Sequence, residues 1–398
     1  MPASATVKAG VLRVSRVAVG VERIFYRPSA RAAGSDLIRI VSPAAHGSMG
    51  DEAMVVAVAA QIEKSGLSSA LLAAGDLADW PLASSVKLES LDAVLTHQRL
   101  IAGRDPKSPA RQTIVIGADA MDGAYGVREI SARVSLLNRA AMRGEQAALV
   151  NFSLRSQVSA AAAALLRQID PRVAIWARDE VSADRARRLF ERSVGCAPDV
   201  AFHLEPSAVA TASRAEISPS SGPAIALVVN GHLGHQMLDG ASGVLDFFTR
   251  LGRELTRLTD RLYVVSHDIR PDPGDPKLAT AVGQAIGGTT VSLRPRTAAE
   301  AKTLLSRMDL CVTSRMHAAV ASLSSGVPTV GLDYVDKFRG QFAWYGQQDA
   351  VVSIAPDNLD AASSLASRLL TEGDDRIQTI RAAMRSIRDR GVPWITGQ

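Results

Sequence analysis

The chain of 398 residues has few cysteines and few aromatic residues, and both shortages exclude classes of protein. Its two cysteines, Cys196 and Cys311, form no CxxC pair and have no histidine at zinc-ligand spacing. The sequence therefore predicts neither a disulfide framework nor a metal site. Aromatic residues make up 4% of the chain, and no basic run is interleaved with them, which argues against a nucleic-acid groove.

The sequence also has no long apolar run. Charged residues interrupt the first 35 residues every few positions, so neither a signal peptide nor a membrane span is predicted there. The net charge of +5 is mild for this length but permits attraction to an anionic ligand or a membrane surface. We expect a cytoplasmic protein, with peripheral association at the inner face of the membrane as an open alternative.

Three common motifs of nucleotide and ester chemistry are missing. The chain contains no GxxxxGK[ST], no GxGxxG after its first predicted strand and no GxSxG. These absences argue against a standard P-loop, against dinucleotide redox chemistry and against a nucleophile elbow. We expect no cofactor.

What the sequence does contain is an alternation of short apolar strands, small-residue loops and helices. LIRIV, for example, is followed by the loop SPAAHGSMG and the helical segment DEAMVVAVAAQIEKSG. This alternation is typical of a parallel sheet covered by helices, and it restarts at PAIALVV after a Ser- and Pro-rich stretch. We predict an α/β protein with a cleft between two doubly wound halves: an N-terminal extension (1–35), an N-terminal Rossmann-like domain (36–210), a linker (211–223) and a C-terminal Rossmann-like domain (224–398).

The segment DLCVTSRMHAAVASLSSGVP places two cation-capable side chains at the start of a helix. Ser314 is predicted as the N-cap, with Arg315 and His317 in the first turn. A helix N-terminus is already partly positive, so Arg315 gains nothing there unless an anion binds. The alternative is a surface arginine beside a hydrogen-bonded core histidine.

The segment HGSMGDE has a similar arrangement after the first predicted strand. Gly47 and Gly50 allow close approach of the backbone, and Asp51 stands at the helix entrance. Asp51 is predicted either as an N-cap or as a catalytic or substrate-binding group. His46 is either an acid, base or acceptor ligand or a solvated loop residue.

Other candidates follow later strands, and each has a structural alternative. A tight turn explains Gly117, an ion pair with Asp179 explains Arg178, and a flexible helix edge explains Lys337. A metal at His267 and Asp268 has weak support, since one histidine with scattered aspartates is not a ligand set. The candidate residues of these segments are Gly117, Asp119, Tyr125, Arg178, His267 and Lys337.

Taken together, these segments resemble the polysaccharide pyruvyl transferase family. The similarity lies in SRMHAAVASLSSGVPTVGLDYVDKFRG, FAWYGQQDAVVSI and HGSMGDEAM, with VIGADAMDGAYG, WARDEVSADRA, APDVAFHL and VVSHD in the family's order. It covers residues 37–355. Two positions differ from the family pattern: Ser48-Met49 stands where an asparagine precedes GDE, and Gly117-Ala118 where further glycines are usual.

The resemblance implies transfer of a pyruvyl group from phosphoenolpyruvate to a sugar hydroxyl pair of a surface polysaccharide or lipid-linked precursor, forming a ketal. It also implies a glycosyltransferase type B arrangement. Under this hypothesis, His317, Asp51 and His46 are catalytic. Donor contacts fall to Arg315, Ser314, Lys337, Arg178 and His267, and acceptor contacts to Gly50, Gly117, Asp119 and Tyr125.

Two other functions remain open. A nucleotide-sugar glycosyltransferase would use the same two domains and bind a diphosphate near Arg315. A non-catalytic polysaccharide-binding member of the family is the other alternative.

Replacing Arg315 with Ala is expected to remove roughly 3 kcal/mol of transition-state stabilisation, as for other lost charge-assisted donors. The measurement is turnover, together with the rise in thermal midpoint that phosphoenolpyruvate gives the wild type. Near-wild-type turnover in the variant would contradict the role of Arg315.

Overall fold

A computed structural model describes residues 35–91, 109–124, 126–207, 222–235, 238, 240–270, 274–288, 290–334, 336–354 and 358–395. Residues 1–34 of the predicted extension, residues 211–221 of the predicted linker and Tyr125 lie outside the described residues. The predictions for these segments, and the domain boundaries drawn at them, stay predictions.

The first sheet has seven parallel strands in the order β3-β2-β1-β4-β5-β6-β7. Four described helices accompany it. These elements are β1 (Leu37–Val41), α1 (Met49–Lys64), β2 (Ser68–Ala73), β3 (Lys87–Ser90), β4 (Gln112–Ala118), α2 (Arg128–Met142), β5 (Gln146–Phe152), α3 (Ala160–Leu166), β6 (Ala174–Ala177), α4 (Glu180–Phe190) and β7 (Gly195–Cys196).

The second sheet has six parallel strands in the order β10-β9-β8-β11-β12-β13. Its elements are β8 (Ala224–Val228), α5 (Gly240–Leu255), β9 (Arg261–Val265), α6 (Asp275–Ile286), β10 (Val291–Leu293), α7 (Ala298–Leu305), β11 (Leu310–Thr313), α8 (Met316–Leu323), β12 (Thr329–Asp333), α9 (Phe338–Ala343), β13 (Val351–Ser353), α10 (Leu359–Thr371) and α11 (Gly373–Arg390).

Burial explains why the strands consist mainly of apolar residues. Every residue of β1, β8, β11 and β12 is buried, because helices cover both faces of a parallel sheet. In each sheet the strand order reverses direction once, between β1 and β4 and between β8 and β11. Such a reversal leaves a crevice at the carboxyl ends of the strands, where ligands of this architecture bind. The predicted fold class of two doubly wound domains is confirmed.

The chain forms two compact units. Of the described residues, those up to 46, from 58 to 200 and from 392 onward form one unit, and those of 47–57 and 201–391 form the other. The first nine residues of α1, together with the preceding Gly47 and Ser48, therefore belong to the second unit. This places Gly50 and Asp51 in the unit that also contains Arg315 and His317.

Lys302 is a buried cation of the second unit. It lies in α7, and its Nζ donates hydrogen bonds to the backbone oxygens of Phe202 (3.0 Å) and Leu204 (2.7 Å). Burial lowers the pKa of Lys302 to about 8, because the charged form loses hydration that two neutral carbonyls replace only in part. These hydrogen bonds fasten α7 to the chain that enters the second unit.

Lys302 is expected to make stability rise with pH above pH 8. The unfolded chain holds the proton up to the ordinary lysine pKa, whereas the folded chain releases it near pH 8, so folding becomes more favourable between those values. From pH 7 to pH 9.5, the wild type should gain about 2 kcal/mol relative to Lys302→Met. Urea unfolding of both proteins at both pH values measures this difference, and an unchanged difference would contradict the prediction.

Candidate functional site

Polar and charged side chains gather at the carboxyl ends of three adjacent strands in the second unit. Asn230 and His232 follow β8, residues 267–270 follow β9, and residues 314–317 follow β11. Because β9, β8 and β11 are neighbours, these ends meet at the reversal of strand order. We call this group the carboxyl-edge cluster: His232, His267, Asp268, Arg270, Asp275, Arg315 and His317.

Arg315 is clamped by Asp275, the first residue of α6. Its Nε donates to Asp275 Oδ2 (3.0 Å) and its Nη2 to Asp275 Oδ1 (2.6 Å), a bidentate pair. Asp275 is fully buried and also accepts from the backbone amides of Gly231 (3.0 Å) and His267 (3.3 Å). The ion pair therefore connects the ends of β8, β9 and β11 and holds the guanidinium in one orientation.

The surroundings of Arg315 differ from the prediction in two ways. First, α8 begins at Met316 with Arg315 at the N-cap, whereas Ser314 was predicted there. Ser314 is buried, and its Oγ has no hydrogen-bond partner among the described residues. Second, the positive charge of Arg315 is compensated. Burial alone would lower the pKa of Arg315, but the charges of Asp275 and Asp268 outweigh it and raise that pKa.

Asp268 connects the other cations of the cluster. It accepts from Arg270 Nε (2.9 Å) and Arg315 Nη1 (3.4 Å), and its Oδ2 lies 3.5 Å from His232 Nε2. Burial alone would raise the pKa of Asp268, but hydrogen bonds from His232 and Arg270 and the charge of Arg315 lower it. Asp268 is therefore a carboxylate throughout the physiological pH range.

His267 is a buried imidazole within this cluster. Burial, together with the charges of Arg315 and His317, lowers its pKa to about 3. It is consequently neutral near pH 7. If His267 contacts the donor substrate, as predicted from the sequence, it does so as an uncharged ring.

The loop before α1 packs against the end of β9. The backbone oxygen of Gly47 accepts from the amide of Ile269 (2.9 Å), and Ser48 forms an antiparallel bridge with Asp268. The Oγ of Ser48 also accepts from the amide of Asp51 (3.4 Å). Ser48, one of the two residues that stand where the family has an asparagine, thus caps α1, and the predicted N-cap role of Asp51 is wrong.

The three residues of GDE each have a different task in the second unit. A Cβ at Gly50 would stand 2.2 Å from Nδ1 of His317, so only glycine leaves space for this imidazole. The charge of Asp51 acts on Arg270, whose pKa it helps to raise. Glu52 is buried, and its Oε1 accepts from the amide of Ala298 (2.6 Å) at the start of α7. Glu52, next to the predicted catalytic Asp51, therefore connects the start of α1 to the start of α7.

Other predicted residues lie in the first unit. The ring of His46 packs edge-on against Trp80, with centroids 5.6 Å apart. A Cβ at Gly117 would come within 2.7 Å of Phe152 Cβ, so close packing accounts for this glycine. Ala118 has φ +47°, in the left-handed region where the family's glycine would be unstrained. Asp119 is half-buried beyond β4, and its acceptor role stays a prediction.

Arg178 forms a buried ion pair in the first unit, which favours the structural alternative over a donor contact. Its Nη1 bonds Asp199 Oδ2 (3.1 Å) and its Nε bonds Ser153 Oγ (2.8 Å), with 1% of the side chain exposed. Its ion-pair partner is Asp199, and Asp179, which the sequence suggested, caps α4 by accepting from the amide of Ser182 (2.7 Å). A guanidinium enclosed in this way stabilises the sheet and cannot meet an external anion.

Lys337 also differs from the prediction of a flexible helix edge. It is the N-cap residue of α9, it is buried, and its backbone amide donates to Asp333 Oδ1 (3.4 Å). Burial of Lys337 therefore does not support its predicted contact with the donor substrate.

Four residues of the site were not predicted from the sequence: His232, Arg270, Asp275 and the anchor Glu52. Each lies within a few residues of a predicted strand end or helix start. A search for every ionisable residue at those positions would have found them. Their pairing could not have been found, because Asp275 and Arg315 are separated by 40 residues.

Among the described residues, no group of three or more His, Cys, Asp or Glu side chains is arranged to hold a metal ion. Within the same part of the chain, no helix has the length and apolar character needed to cross a membrane.

Solved structures share the fold across most of the chain. MnaA of S. aureus, in a structure with UDP, has a TM-score of 0.59 at 10% identity, covering 87% of this chain and 91% of its own. UDP-GlcNAc 2-epimerase from Neisseria meningitidis, bound to UDP-GlcNAc, has a TM-score of 0.55 at 10% identity, covering 89% and 98%. A glycosyltransferase from Rickettsia africae has a TM-score of 0.55 at 10% identity, covering 89% and 94%. The fold is that of a two-domain protein of glycosyltransferase type B.

The sequence profile of the polysaccharide pyruvyl transferase family matches residues 50–336, most of the chain. The chain therefore belongs to this family, and its membership supports a transferase. No curated protein matches the chain significantly.

Asp275→Asn is expected to destabilise the protein strongly. The substitution removes the charge that lies nearest the buried guanidinium of Arg315 and leaves Asp268, at 3.4 Å, as its carboxylate partner; breaking a buried pair in this way costs about 3 kcal/mol or more. Asp246→Asn is the matched control, because Asp246 is 67% exposed in a surface pair with Arg250 and should cost under about 1 kcal/mol. Equal losses for the two variants in urea unfolding would contradict the structural role of Asp275.

Proposed function

We propose that the protein transfers a pyruvyl group from phosphoenolpyruvate to two hydroxyls of a saccharide, or of its lipid-linked precursor, with release of phosphate. The family match supports this proposal. The structural observation that carries it is the packing of His317 against Gly50, which brings the SRMH and GDE segments together in one unit. We propose that the reaction needs no cofactor, with phosphoenolpyruvate as the donor substrate.

We propose that N–H groups of fixed orientation bind phosphoenolpyruvate, in a site where carboxylates already compensate the charges of the arginines. Asp275 holds Nε and Nη2 of Arg315, and Nη1 has only the longer contact to Asp268 (3.4 Å). The amides at the start of α8 lie beside this guanidinium. Asp268 and Asp275 carry two negative charges against those of Arg270 and Arg315. Binding would then depend on donor geometry that needs no rearrangement, as in other preorganised anion sites.

The chemistry requires one proton donor and one base. His317 would protonate the methylene carbon C3, which creates an oxocarbenium-like centre at C2. A sugar hydroxyl attacks C2 and passes its proton to Asp51, after which the C2–O bond breaks and phosphate leaves with the electron pair. The second hydroxyl then attacks C2, its proton returns to His317, and the ketal closes. His46 stays an alternative base.

A nucleotide-sugar glycosyltransferase reaction is the second candidate. The solved structures with this fold include one with UDP and one bound to UDP-GlcNAc. A diphosphate could contact the same arginine and helix terminus. UDP-GlcNAc therefore belongs in the tests beside phosphoenolpyruvate.

His317→Gln and Asp51→Asn are each expected to reduce turnover about 100- to 10,000-fold, the usual cost of losing a general acid or base. Phosphate release from phosphoenolpyruvate and the mass gain of a panel of saccharide acceptors measure turnover. Asp246→Asn is the control and should match the wild type, since it lies on the exposed face of α5. Release of UDP from UDP-GlcNAc, without phosphate release from phosphoenolpyruvate, would replace the proposal with the second candidate.

A further inference from the structure

Arg270 is a second arginine at the carboxyl edge, and it is held as firmly as Arg315. Its Nε donates to Asp268 Oδ1 (2.9 Å), its Nη2 donates to Asp268 Oδ2, and its backbone amide donates to the same carboxylate (3.1 Å). Its side chain is 34% exposed, against 15% for Arg315. Arg270 is therefore rigid and accessible at the same time.

The glycine loop is built around this side chain. Gly47 has φ +111°, and a Cβ there would stand 2.6 Å from Cγ of Arg270. The hydrogen bond from Ile269 to Gly47 and the bridge between Ser48 and Asp268 fasten the loop on either side of the contact. Gly47 and Gly50, which are three residues apart, thus make space for two cation-capable side chains: Arg270 at Gly47 and His317 at Gly50.

The contacts of Arg270 leave one nitrogen of its guanidinium group without a hydrogen bond to the described residues. Asp268 occupies the Nε and Nη2 edge, and the remaining Nη2 neighbour is His232 Nε2 at 3.4 Å. The Nη1 group makes no hydrogen bond to any of the described residues. Asp268 is moreover already in contact with Arg315 and His232, so neutralising this carboxylate does not by itself require Arg270.

We propose that Arg270 binds the carboxylate of the donor while Arg315 and the N-terminus of α8 bind its phosphate. The inference rests on the proposed function, because phosphoenolpyruvate has one anionic group for each arginine. Arg315 is assigned to the phosphate because it stands at the N-cap of α8, where unpaired amides favour phosphate. Arg270 follows β9, which β8 separates from β11, and it shares Asp268 with Arg315. Its Nη1 group, which bonds none of the described residues, is left for the second anionic group.

Titration of phosphoenolpyruvate and of inorganic phosphate, each into purified full-length variants, tests the assignment. Arg270→Gln should weaken phosphoenolpyruvate about 10- to 100-fold, the loss expected for a charged hydrogen-bonded contact, and change phosphate binding less than about threefold. Arg315→Gln should weaken both ligands. Arg250→Gln, which removes an exposed arginine of α5 with the same change of charge, should alter neither.

Two further variants keep the test independent of folding. Arg270→Lys retains the charge without the fork and should fall between wild type and Arg270→Gln. Gly47→Ala retains Arg270 but pushes its side chain aside, so it should also weaken phosphoenolpyruvate and spare phosphate. Phosphate binding, where preserved, reports that each variant is folded.

Phosphoenolpyruvate affinity in Arg270→Gln equal to that of wild type and Arg250→Gln would overturn the inference. Equal weakening of phosphate and phosphoenolpyruvate in Arg270→Gln would overturn the assignment to the carboxylate. Failure of the proposed function has a different signature: the wild type itself would bind neither ligand and would bind UDP-GlcNAc.

Discussion

The buried ion pair between Arg315 and Asp275 is the interaction on which the rest of the site depends. It spans three adjacent strand ends, because Asp275 also accepts backbone hydrogen bonds from Gly231 after β8 and His267 after β9. A buried pair of this kind is costly to desolvate, and its main benefit is a fixed geometry. Hydrogen bonds to both carboxylate oxygens of Asp275 offset the desolvation cost, and the bidentate pair fixes the orientation of the Arg315 guanidinium.

The same principle extends to the loop that precedes α1. Its glycines each face a side chain of the second unit: Arg270 at Gly47 and His317 at Gly50. Ser48 caps α1, and Glu52 in the first turn of α1 accepts from the amide of Ala298 in α7, so the loop and the start of α1 are held in place. Asp51 is thereby held beside the cluster without being buried itself.

Buried polar side chains stabilise the first unit in a different manner. Arg178, Asp199, Ser153 and Asn151 form a buried hydrogen-bond network, in which Asn151 Oδ1 accepts from the amide of Val200 (2.8 Å). The network fastens the last residues of the first unit's main segment to β5 and β6. An arginine that follows a strand is therefore not evidence of an anion site unless its charge faces outward.

The amino-acid sequence by itself determined the fold class and the position of the main functional segments. Continuous apolar strands alternating with helices allow few arrangements other than parallel doubly wound sheets, so the two Rossmann-like domains could be predicted from LIRIV, PAIALVV and DLCVT alone. Strand ends also marked Arg315, His317 and Asp51. Tertiary structure alone decided which charges meet. Asp275 neutralises Arg315, Asp199 encloses Arg178, and Glu52 reaches α7 across 246 positions of sequence, since such pairs depend on strand order and burial and not on local spacing.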